Sequence, residues 1–430
     1  MFKKKIALIC ANKLRDLDGL IYLKFKLEKK GYIVQIFNFA SHSNFVDIFY
    51  FAPHILVIPT ILEKSMREFS KFLKNYGTKI IELKSEGLFS ERDEEEGYNK
   101  FEDSSFLDGE IAWGTRMKSG LLKNSNLQEK KIFICGHPRF DIYTKKRFHL
   151  SKENFCKKYD LNKKNKIISC ATGFAPADFT KKQIKKAYNK SNSNLYLITK
   201  KYKILRAKFF YSITKLAKEF PKIIFIIKIH PYESSKFYIQ NKPKDTKNLI
   251  ILKKEKIGNI ISFTDIFIHT NSTSSVEAWL HNLYMPTISF YPDVSKKMLI
   301  ESIGGGDFIE NYECLKERVM HYLTGNLISE VKLNFRKNFI KKNFYKIDGK
   351  SSERAANVID KIAITARLNS KKLKIPFFIH FLKFKLLIRK VLKIPEDRSL
   401  LFLKKHKDYW DRIATNKEIL DREELLGKIS

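Results

Sequence analysis

Residues 223–233 read Ile-Ile-Phe-Ile-Ile-Lys-Ile-His-Pro-Tyr-Glu, a nearly unbroken apolar run that stops at a His-Pro pair. A run of β-branched and aromatic residues is typical of a strand that is covered on both faces, as in a parallel sheet. Similar runs occur along the chain, and segments with helical spacing separate them. This alternation predicts an α/β protein built from βαβ units.

The apolar runs form two series, which predicts two domains. The first series lies at residues 5–10, 32–39, 54–59 and 79–83, and the second at residues 166–170, 223–229, 249–252, 266–269 and 287–290. A polar, Lys-rich stretch at residues 151–165 separates them. We therefore predict Rossmann-like domains at residues 1–150 and 166–365, with a cleft between them, and a basic helical segment at residues 366–430. Open parallel sheets bind ligands beyond the carboxyl ends of their strands, so we look for the site there.

The composition limits the possible functions. The 430 residues include 83 Lys and Arg against 46 Asp and Glu, a net charge of +37 that favours a polyanionic or phosphorylated partner. Codon bias toward Lys is the alternative explanation for part of this charge. No RRM, KH, helix-turn-helix or zinc pattern supports a nucleic-acid partner. The five cysteines form no C-x-x-C cluster and are predicted to be buried thiols in a reducing cytoplasm.

The His230-Pro231 pair follows the strongest strand of the sequence. Proline cannot continue the ladder, so His230 is expected at the edge of the sheet, where its ring can donate to a phosphate. An ordinary loop histidine beside a turn proline fits the same spacing equally well.

A run of hydroxyl-bearing residues, Ser272-Thr273-Ser274-Ser275, follows the strand at residues 266–269. Hydroxyl side chains cap helix starts, and the free amides and dipole of the first turn attract anions. The run therefore predicts a phosphate site in preference to simple capping, and its candidate residues are Ser272, Thr273, Ser274 and Ser275. Glu277, in the first helical turn, is predicted either to bind ribose hydroxyls or to complement the helix dipole.

In the first half, Ser85-Glu86-Gly87 follows the strand at 79–83. A carboxylate at a strand end, freed by a following glycine, is suited to take a proton from an incoming hydroxyl group. Without further context, a surface glutamate in a turn is the better interpretation of Glu86. Asp93 and Glu94, in the following acidic loop, are alternative bases.

Seven short motifs in order resemble bacterial surface-carbohydrate biosynthesis proteins related to the GT-B glycosyltransferases of capsule and lipopolysaccharide assembly. The motifs are Ser85-Glu86-Gly87, Ile111-Ala112-Trp113-Gly114, Cys135-Gly136-His137-Pro138-Arg139-Phe140-Asp141, Thr172-Gly173-Phe174, His230-Pro231-Tyr232-Glu233, the Ser/Thr run before Glu277-Ala278, and Asp348-Gly349-Lys350-Ser351-Ser352-Glu353-Arg354. The resemblance implies a GT-B fold. It adds Thr172, Gly173 and Pro231 to the donor-binding candidates, and Gly87, Arg139, Asp141 and Glu233 as supporting residues.

The acidic-Gly turn, the His-Pro pair and the Ser/Thr pair are also similar to those of bacterial sialyltransferases and Kdo transferases, whose donors are CMP-activated acidic sugars. The resemblance implies an inverting, metal-independent glycosyltransferase that needs no cofactor beyond its nucleotide-sugar substrate. Glu86 would be the base, His230 would bind and protonate the departing phosphate of CMP, and Ser274 and Ser275 would hold it. CDP-glycerol glycerophosphotransferases share the His-Pro and Ser/Thr elements, so polyol-phosphate transfer is the alternative, and nucleic-acid binding is a remote one.

The segment Lys371–Lys393 contains eight Lys or Arg residues, no acidic residue, and bulky apolar residues between them. A basic amphipathic segment of this kind is typical of contact with anionic lipid. We therefore predict a peripheral protein at the inner face of the cytoplasmic membrane, acting on a glycan or lipid-linked glycan acceptor. A helix that returns across the first domain is the other interpretation of this segment.

Overall fold

The computed structural model describes residues 3–38, 42–96, 103–144, 151–180, 195–270, 272–292, 301–369 and 414–427. The chain divides into two compact units: unit 1 comprises Met1–Phe148 and Ile340–Ser430, and unit 2 comprises His149–Phe339. Each unit contains a six-stranded sheet whose paired strands are all parallel. The predicted α/β class with two Rossmann-like domains is confirmed.

The first part of unit 1 alternates strands with helices. Its elements are β1 (Lys5–Cys10), α1 (Leu17–Lys29), β2 (Ile33–Asn38), α2 (His42–Phe51), β3 (Ile55–Ile58), α3 (Lys64–Lys74), β4 (Lys79–Glu82), α4 (Glu91–Glu96), β5 (Gly109–Ala112), α5 (Thr115–Asn124) and β6 (Ile132–Ile134). The strand order is β2-β1-β3-β4-β5-β6. Because the strands are parallel, their carboxyl ends lie along one edge, which we call the unit 1 rim.

Unit 2 repeats this alternation around its own sheet. Its elements are α6 (Lys152–Lys158), β7 (Ile167–Ala171), α7 (Leu195–Glu219), β8 (Ile224–Lys228), α8 (Lys236–Asn241), β9 (Leu249–Leu252), α9 (Ile257–Ile261), β10 (Ile266–His269), α10 (Ser274–His281), β11 (Thr287–Phe290), β12 (Asp307–Ile309), α11 (Tyr312–Leu323) and α12 (Glu330–Phe344), the last of which ends in residues assigned to unit 1. The strand order is β12-β11-β10-β7-β8-β9. The carboxyl ends of these strands form the unit 2 rim.

The division of the chain differs from the predicted domain limits because two later helices, α13 (Ser351–Ile364) and α14 (Asn416–Gly427), belong to unit 1. Helix α13 buries Ala356 and Ile359, and α14 buries Ile419, in the same apolar core as β1 and α1. The Arg422 side chain also donates two hydrogen bonds, of 2.7 and 2.8 Å, to the Asp18 carboxylate of α1. These contacts place part of the predicted second domain, and part of the predicted tail, in unit 1.

The predicted linker at residues 151–165 also differs from expectation, because it begins with helix α6 of unit 2. The Ser151 hydroxyl accepts a hydrogen bond from the Asn154 N–H at 3.1 Å and caps this helix. Phe155 is fully buried against Ile167 and its neighbours. The polar, Lys-rich composition of this stretch therefore led to a wrong prediction, because its first half forms a short amphipathic helix.

The predicted membrane-contacting segment, Lys371–Lys393, lies outside the described residues, and its role stays a prediction. Among the helices that are described, none combines the length and the apolar character required to cross a membrane.

Candidate active site

Three neighbouring strands bring the predicted donor-binding residues to the unit 2 rim. Strand β7 lies between β10 and β8 and leads into Thr172 and Gly173, while β8 leads to His230 and β10 to Thr270. A Cβ atom added to Gly173 would lie 2.9 Å from the Thr270 carbonyl oxygen, so only glycine permits this close approach. The residues that follow these three strands therefore lie next to one another at the unit 2 rim.

His230 is held in a defined orientation by two hydrogen bonds. Its backbone N–H donates to the Thr172 hydroxyl at 3.0 Å, and its Nδ1 accepts from the Tyr232 N–H at 3.2 Å. Its ring also stacks on Tyr232, with ring centroids 5.5 Å apart. Since Nδ1 is an acceptor, the neutral ring carries its hydrogen on Nε2, which makes Nε2 a hydrogen-bond donor.

Glu233, a predicted supporting residue, is fully buried behind His230. Its Oε1 accepts hydrogen bonds from the Thr172 hydroxyl at 2.8 Å and the Phe174 N–H at 2.7 Å, and its Oε2 accepts one from the Tyr238 hydroxyl at 2.5 Å. Burial raises the pKa of Glu233, and these hydrogen bonds oppose the shift. Glu233 thus ties the turn after β7 to the turn after β8.

A buried lysine lies at the end of β8. The Lys228 ammonium donates to the backbone oxygens of Ile229 at 2.7 Å and Lys253 at 2.9 Å. Burial lowers the pKa of Lys228 to about 8, and the nearby charge of Lys253 adds to the shift. The sequence analysis did not select this residue as a candidate, although it lies two residues before His230.

The Ser/Thr run forms the start of helix α10, as predicted. The Ser272 hydroxyl lies 2.8 Å from the Ser274 hydroxyl and accepts from the Ser274 N–H at 3.2 Å. Ser275 is fully buried, and its hydroxyl donates to the Ser272 carbonyl oxygen at 3.0 Å. Thr273 is exposed and Glu277 is half-buried. The outer surface of this turn is therefore formed by Ser272 and Thr273 rather than by Ser275.

Two buried polar groups lie next to this turn, and neither was among the predicted site residues. Within the described part of the chain, neither Nε2 of His269 nor Oγ1 of Thr270 has a hydrogen-bond partner. Burial lowers the pKa of His269 to about 3, so its ring is neutral. Its position at the carboxyl end of β10 was the available signal, because the same criterion selected His230.

At the unit 1 rim, the turn after β4 presents Glu86 with its side chain 74% exposed. Its carboxylate forms an ion pair with Arg15, which follows β1. Arg15 Nε also donates to the Asp16 carboxylate at 2.8 Å. Sequence reasoning missed Arg15 and Asp16, although they lie at a strand end like the residues that it selected.

The turn that carries Glu86 is held on several sides. The Trp113 indole N–H donates to the Lys84 carbonyl oxygen at 2.9 Å, and Arg139 donates to the Ser85 carbonyl oxygen at 3.0 Å. A Cβ atom on Gly87 would lie 2.6 Å from the Trp113 ring. Gly87 is therefore explained by close packing, and the predicted supporting residue Arg139 does contact this turn.

A buried ionic cluster lies beneath the same turn. The Lys84 ammonium is 2.8 Å from a Glu82 carboxylate oxygen and 3.4 Å from one of Glu110, and all three side chains are almost completely buried. Burial raises the pKa of Glu110; Lys84 opposes the shift and Glu82 adds to it. One proton shared within this cluster would reduce the repulsion between its carboxylates.

Asp141 has a structural position at the start of helix α13. Its two carboxylate oxygens accept hydrogen bonds from the N–H groups of Ser351 at 2.8 Å and Ser352 at 2.7 Å. Arg354 Nε donates to the Cys135 carbonyl oxygen at 2.8 Å. Two of the seven motifs, which lie far apart in the sequence, therefore pack against each other in unit 1.

Glu86 belongs to unit 1, whereas His230 and the Ser/Thr turn belong to unit 2, so their predicted meeting in one cleft stays a prediction. No three His, Cys, Asp or Glu side chains of the described residues cluster in a way that would hold a metal ion. The metal-independent mechanism and the absence of a cofactor also stay predictions.

Solved structures with a similar fold cover most of this chain. The wall teichoic acid polymerase TagF aligns with a TM-score of 0.54 and 12% identity, over 84% of this chain and 89% of its own. UDP-GlcNAc 2-epimerase from Neisseria meningitidis, bound to UDP-GlcNAc, aligns with a TM-score of 0.53 and 13% identity, over 83% of this chain and 100% of its own. No curated protein matches in sequence. At this identity the likeness supports the GT-B fold alone.

The family comparison goes further than the fold. Residues 74–361, which include candidate residues of both units, match the family model described as CDP-Glycerol:Poly(glycerophosphate) glycerophosphotransferase. This match covers more than half of the chain and identifies it as a GT-B transferase of surface-carbohydrate synthesis. The chain belongs to the CDP-glycerol:poly(glycerophosphate) glycerophosphotransferase family.

Proposed function

We propose that this enzyme transfers a polyol-phosphate unit from a CDP-linked polyol to a hydroxyl group of a growing surface polymer. The family match over residues 74–361 carries the proposal. It favours the alternative that the sequence left open, whereas the CMP-activated acidic sugar of the leading interpretation gains no support from the comparisons. The predicted inner-membrane location and the lipid-linked or glycan acceptor remain part of the proposal.

In the proposed reaction, the acceptor oxygen attacks the phosphorus that carries the polyol. A new phosphorus–oxygen bond forms, the bond from that phosphorus to the bridging oxygen breaks, and CMP departs with the bonding electron pair. The acceptor hydroxyl loses its proton to a base. The products are a phosphodiester and CMP, so the enzyme must stabilise negative charge on two phosphates and accept one proton.

The unit 2 rim supplies groups for the first of these tasks. The geometry of His230 favours an Nε2–H donor directed by its Nδ1 hydrogen bond, which suits a departing phosphate. The hydroxyls of Ser272, Thr273 and Ser274 and the positive end of the α10 dipole favour the same anion. His269 and Thr270 would gain hydrogen bonds if a donor group or water reached their buried polar atoms.

For the second task, Glu86 is the proposed base. Its exposure at the unit 1 rim suits a bulky acceptor, and its pairing with Arg15 must open when the acceptor hydroxyl binds. Of the alternative bases, Glu94 accepts a hydrogen bond from the buried Arg116 at 3.0 Å. The side chain of Asp93 lies outside the described part of the structure.

A ligand panel tests the donor class and the role of His230 together. CDP-glycerol, CMP-sialic acid, CMP and UDP are compared by their effect on thermal unfolding; a ligand at 100 times its dissociation constant stabilises by about 2.7 kcal/mol. We expect CDP-glycerol to stabilise wild type most, and His230→Ala to lose most of this effect and about 10² or more of its turnover.

The matched control is His321→Ala, which removes another histidine of unit 2, on helix α11. We expect it to bind and turn over CDP-glycerol like wild type. Selective stabilisation by CMP-sialic acid, or full activity of His230→Ala, would contradict the proposal.

A further inference from the structure

Helix α7 has one face that the site described above does not use. Leu197, Ile204 and Tyr211 are spaced seven residues apart and are 56%, 49% and 67% exposed. Seven residues are close to two helical turns, so the three side chains form a row about 21 Å long. Three large apolar side chains exposed along one side of a helix favour a contact surface over scattered surface residues.

Lysines flank this row. Lys201 and Lys208 are exposed and follow Leu197 and Ile204 by four residues, so they lie beside them on the helix. Lys200 is exposed on the other side of the row. Residues 195–218 contain no Asp or Glu. We call the three apolar and three lysine residues the α7 face.

The helix cannot rotate to hide this row, because its opposite side is already packed. Leu205, Phe209 and Ile213 are buried in the unit 2 core, and Leu216 continues the same side of the helix. Turning the α7 face inward would expose these side chains to water. The exposure of the row is therefore fixed by the fold of unit 2.

We propose that the α7 face is a docking surface for an anionic lipid membrane. Apolar and tyrosine side chains flanked by cations suit the boundary between lipid headgroups and acyl chains, where lysine ammonium groups reach the phosphates. A second copy of the same face is a poor partner, because lysines would then oppose lysines. This surface is formed by described residues of unit 2 and is separate in sequence from the predicted segment Lys371–Lys393.

Vesicle sedimentation of the full chain tests this proposal. Vesicles of phosphatidylcholine alone are compared with vesicles of phosphatidylcholine and phosphatidylglycerol. We expect binding to the anionic vesicles that weakens as salt rises, because the Debye length falls from about 10 Å at 0.1 M to about 3 Å at 1 M. The combined variant Leu197→Ser, Ile204→Ser and Tyr211→Ser should bind them about tenfold or more weakly.

Two further variants show which property of the face is responsible. Lys200→Gln, Lys201→Gln and Lys208→Gln together should weaken binding and flatten its salt dependence. The matched control is Ile239→Ser, Leu327→Ser and Val331→Ser, which removes side chains that are 63%, 79% and 79% exposed elsewhere in unit 2. The control should bind like wild type, and thermal unfolding of each variant confirms that it is folded.

Two outcomes would overturn the proposal. The first is wild-type vesicle binding by the apolar triple variant, which would assign membrane contact to other residues, including Lys371–Lys393. The second is an absence of anionic-vesicle binding by the wild-type protein, which would leave the α7 face to an acidic protein partner. Donor binding measured in solution is independent of vesicles, so failure here is distinguishable from failure of the proposed reaction.

Discussion

The two rims use a buried lysine in different ways. Lys84 and Lys228 each lie near the end of a strand, two residues before the candidate catalytic residues Glu86 and His230. Lys84 lies between two buried carboxylates, whereas the Lys228 ammonium donates to backbone oxygens. The shared spacing places a cation under both turns, but its partners differ.

Burial shifts the pKa of a carboxyl group at the unit 1 rim and the pKa of the lysine at the unit 2 rim in opposite directions. In unit 1, burial raises the pKa of Glu110, and the lysine opposes that shift. In unit 2, burial lowers the pKa of Lys228 itself. The turn of Glu86 therefore rests on two buried carboxylates that share one lysine, while the turn of His230 rests on a lysine bound to backbone oxygens and on the hydrogen bond from Thr172 to Glu233. Similar folds thus support their candidate residues with different electrostatics.

The largest expected effect concerns the exposed candidate of unit 1. Glu86→Gln keeps the size and hydrogen bonds of the side chain but removes its basicity, so transfer should fall by about 10² to 10⁴ while donor binding survives. The control Glu129→Gln changes a well-exposed carboxylate of the same unit and should leave transfer unchanged. If Glu86→Gln stays active and Asp93→Asn or Glu94→Gln does not, the base belongs to the segment Glu91–Glu96, which was predicted as a loop and is helix α4.

Removing each buried lysine compares the two rims directly. Lys84→Met leaves Glu82 and Glu110 buried without their cation and should lower the free energy of unfolding by about 3–5 kcal/mol. Lys228→Met leaves only backbone oxygens without a donor and should cost about 1–3 kcal/mol. Amide hydrogen exchange, analysed separately for the residues of each unit, measures these free energies of unfolding, because two units need not unfold together. Equal losses in the free energy of unfolding for the two variants would contradict the proposed difference between the rims.

The smallest effect is a pH dependence in unit 1. Folding raises the pKa of Glu110 from its ordinary value of 4.5 to about 8, so between these pH values the folded state keeps a proton that the unfolded state loses. The free energy of unfolding therefore declines as pH rises through this range. Glu110→Gln mimics the protonated form and should flatten the decline by up to about 1.4 kcal/mol per pH unit. Urea unfolding over this pH range measures the slopes, and unchanged slopes would show that Glu110 is ionised throughout.

The long apolar runs made most of the fold predictable. Strand β9 (Leu249–Leu252), β10 (Ile266–His269) and β11 (Thr287–Phe290) have the predicted bounds, because buried parallel strands contain little but apolar residues. Strands β5, β6 and β12 were missed: β6 and β12 have only three residues, too few to show a pattern, and β5 begins with Gly109 and Glu110, which interrupt an apolar run. The return of α13 and α14 to unit 1 depends on long-range packing, which local periodicity does not contain.

The candidate site was predictable where its residues directly follow strands in recognisable motifs, as His230 and Glu86 do. His269 ends strand β10 and Arg15 lies between β1 and α1, but neither lies in a quoted motif, so both were overlooked. The buried cluster of Glu82, Lys84 and Glu110 was also unpredictable, because charged residues within or beside a strand usually indicate an exposed face. Their pairing depends on the register between β4 and β5, in which Glu82 is the partner of Glu110.

The most direct test of the central claim is the chemical identity of the product. The enzyme is incubated with membranes that supply the acceptor and with either CDP-glycerol or CMP-sialic acid, and phosphorus-31 NMR follows the donor phosphates. We predict that CDP-glycerol yields CMP and an equal amount of a new phosphodiester in the polymer, and that His230→Ala yields neither. Release of CMP from CMP-sialic acid, with sugar but no phosphorus entering the polymer and CDP-glycerol unconsumed, would contradict polyol-phosphate transfer.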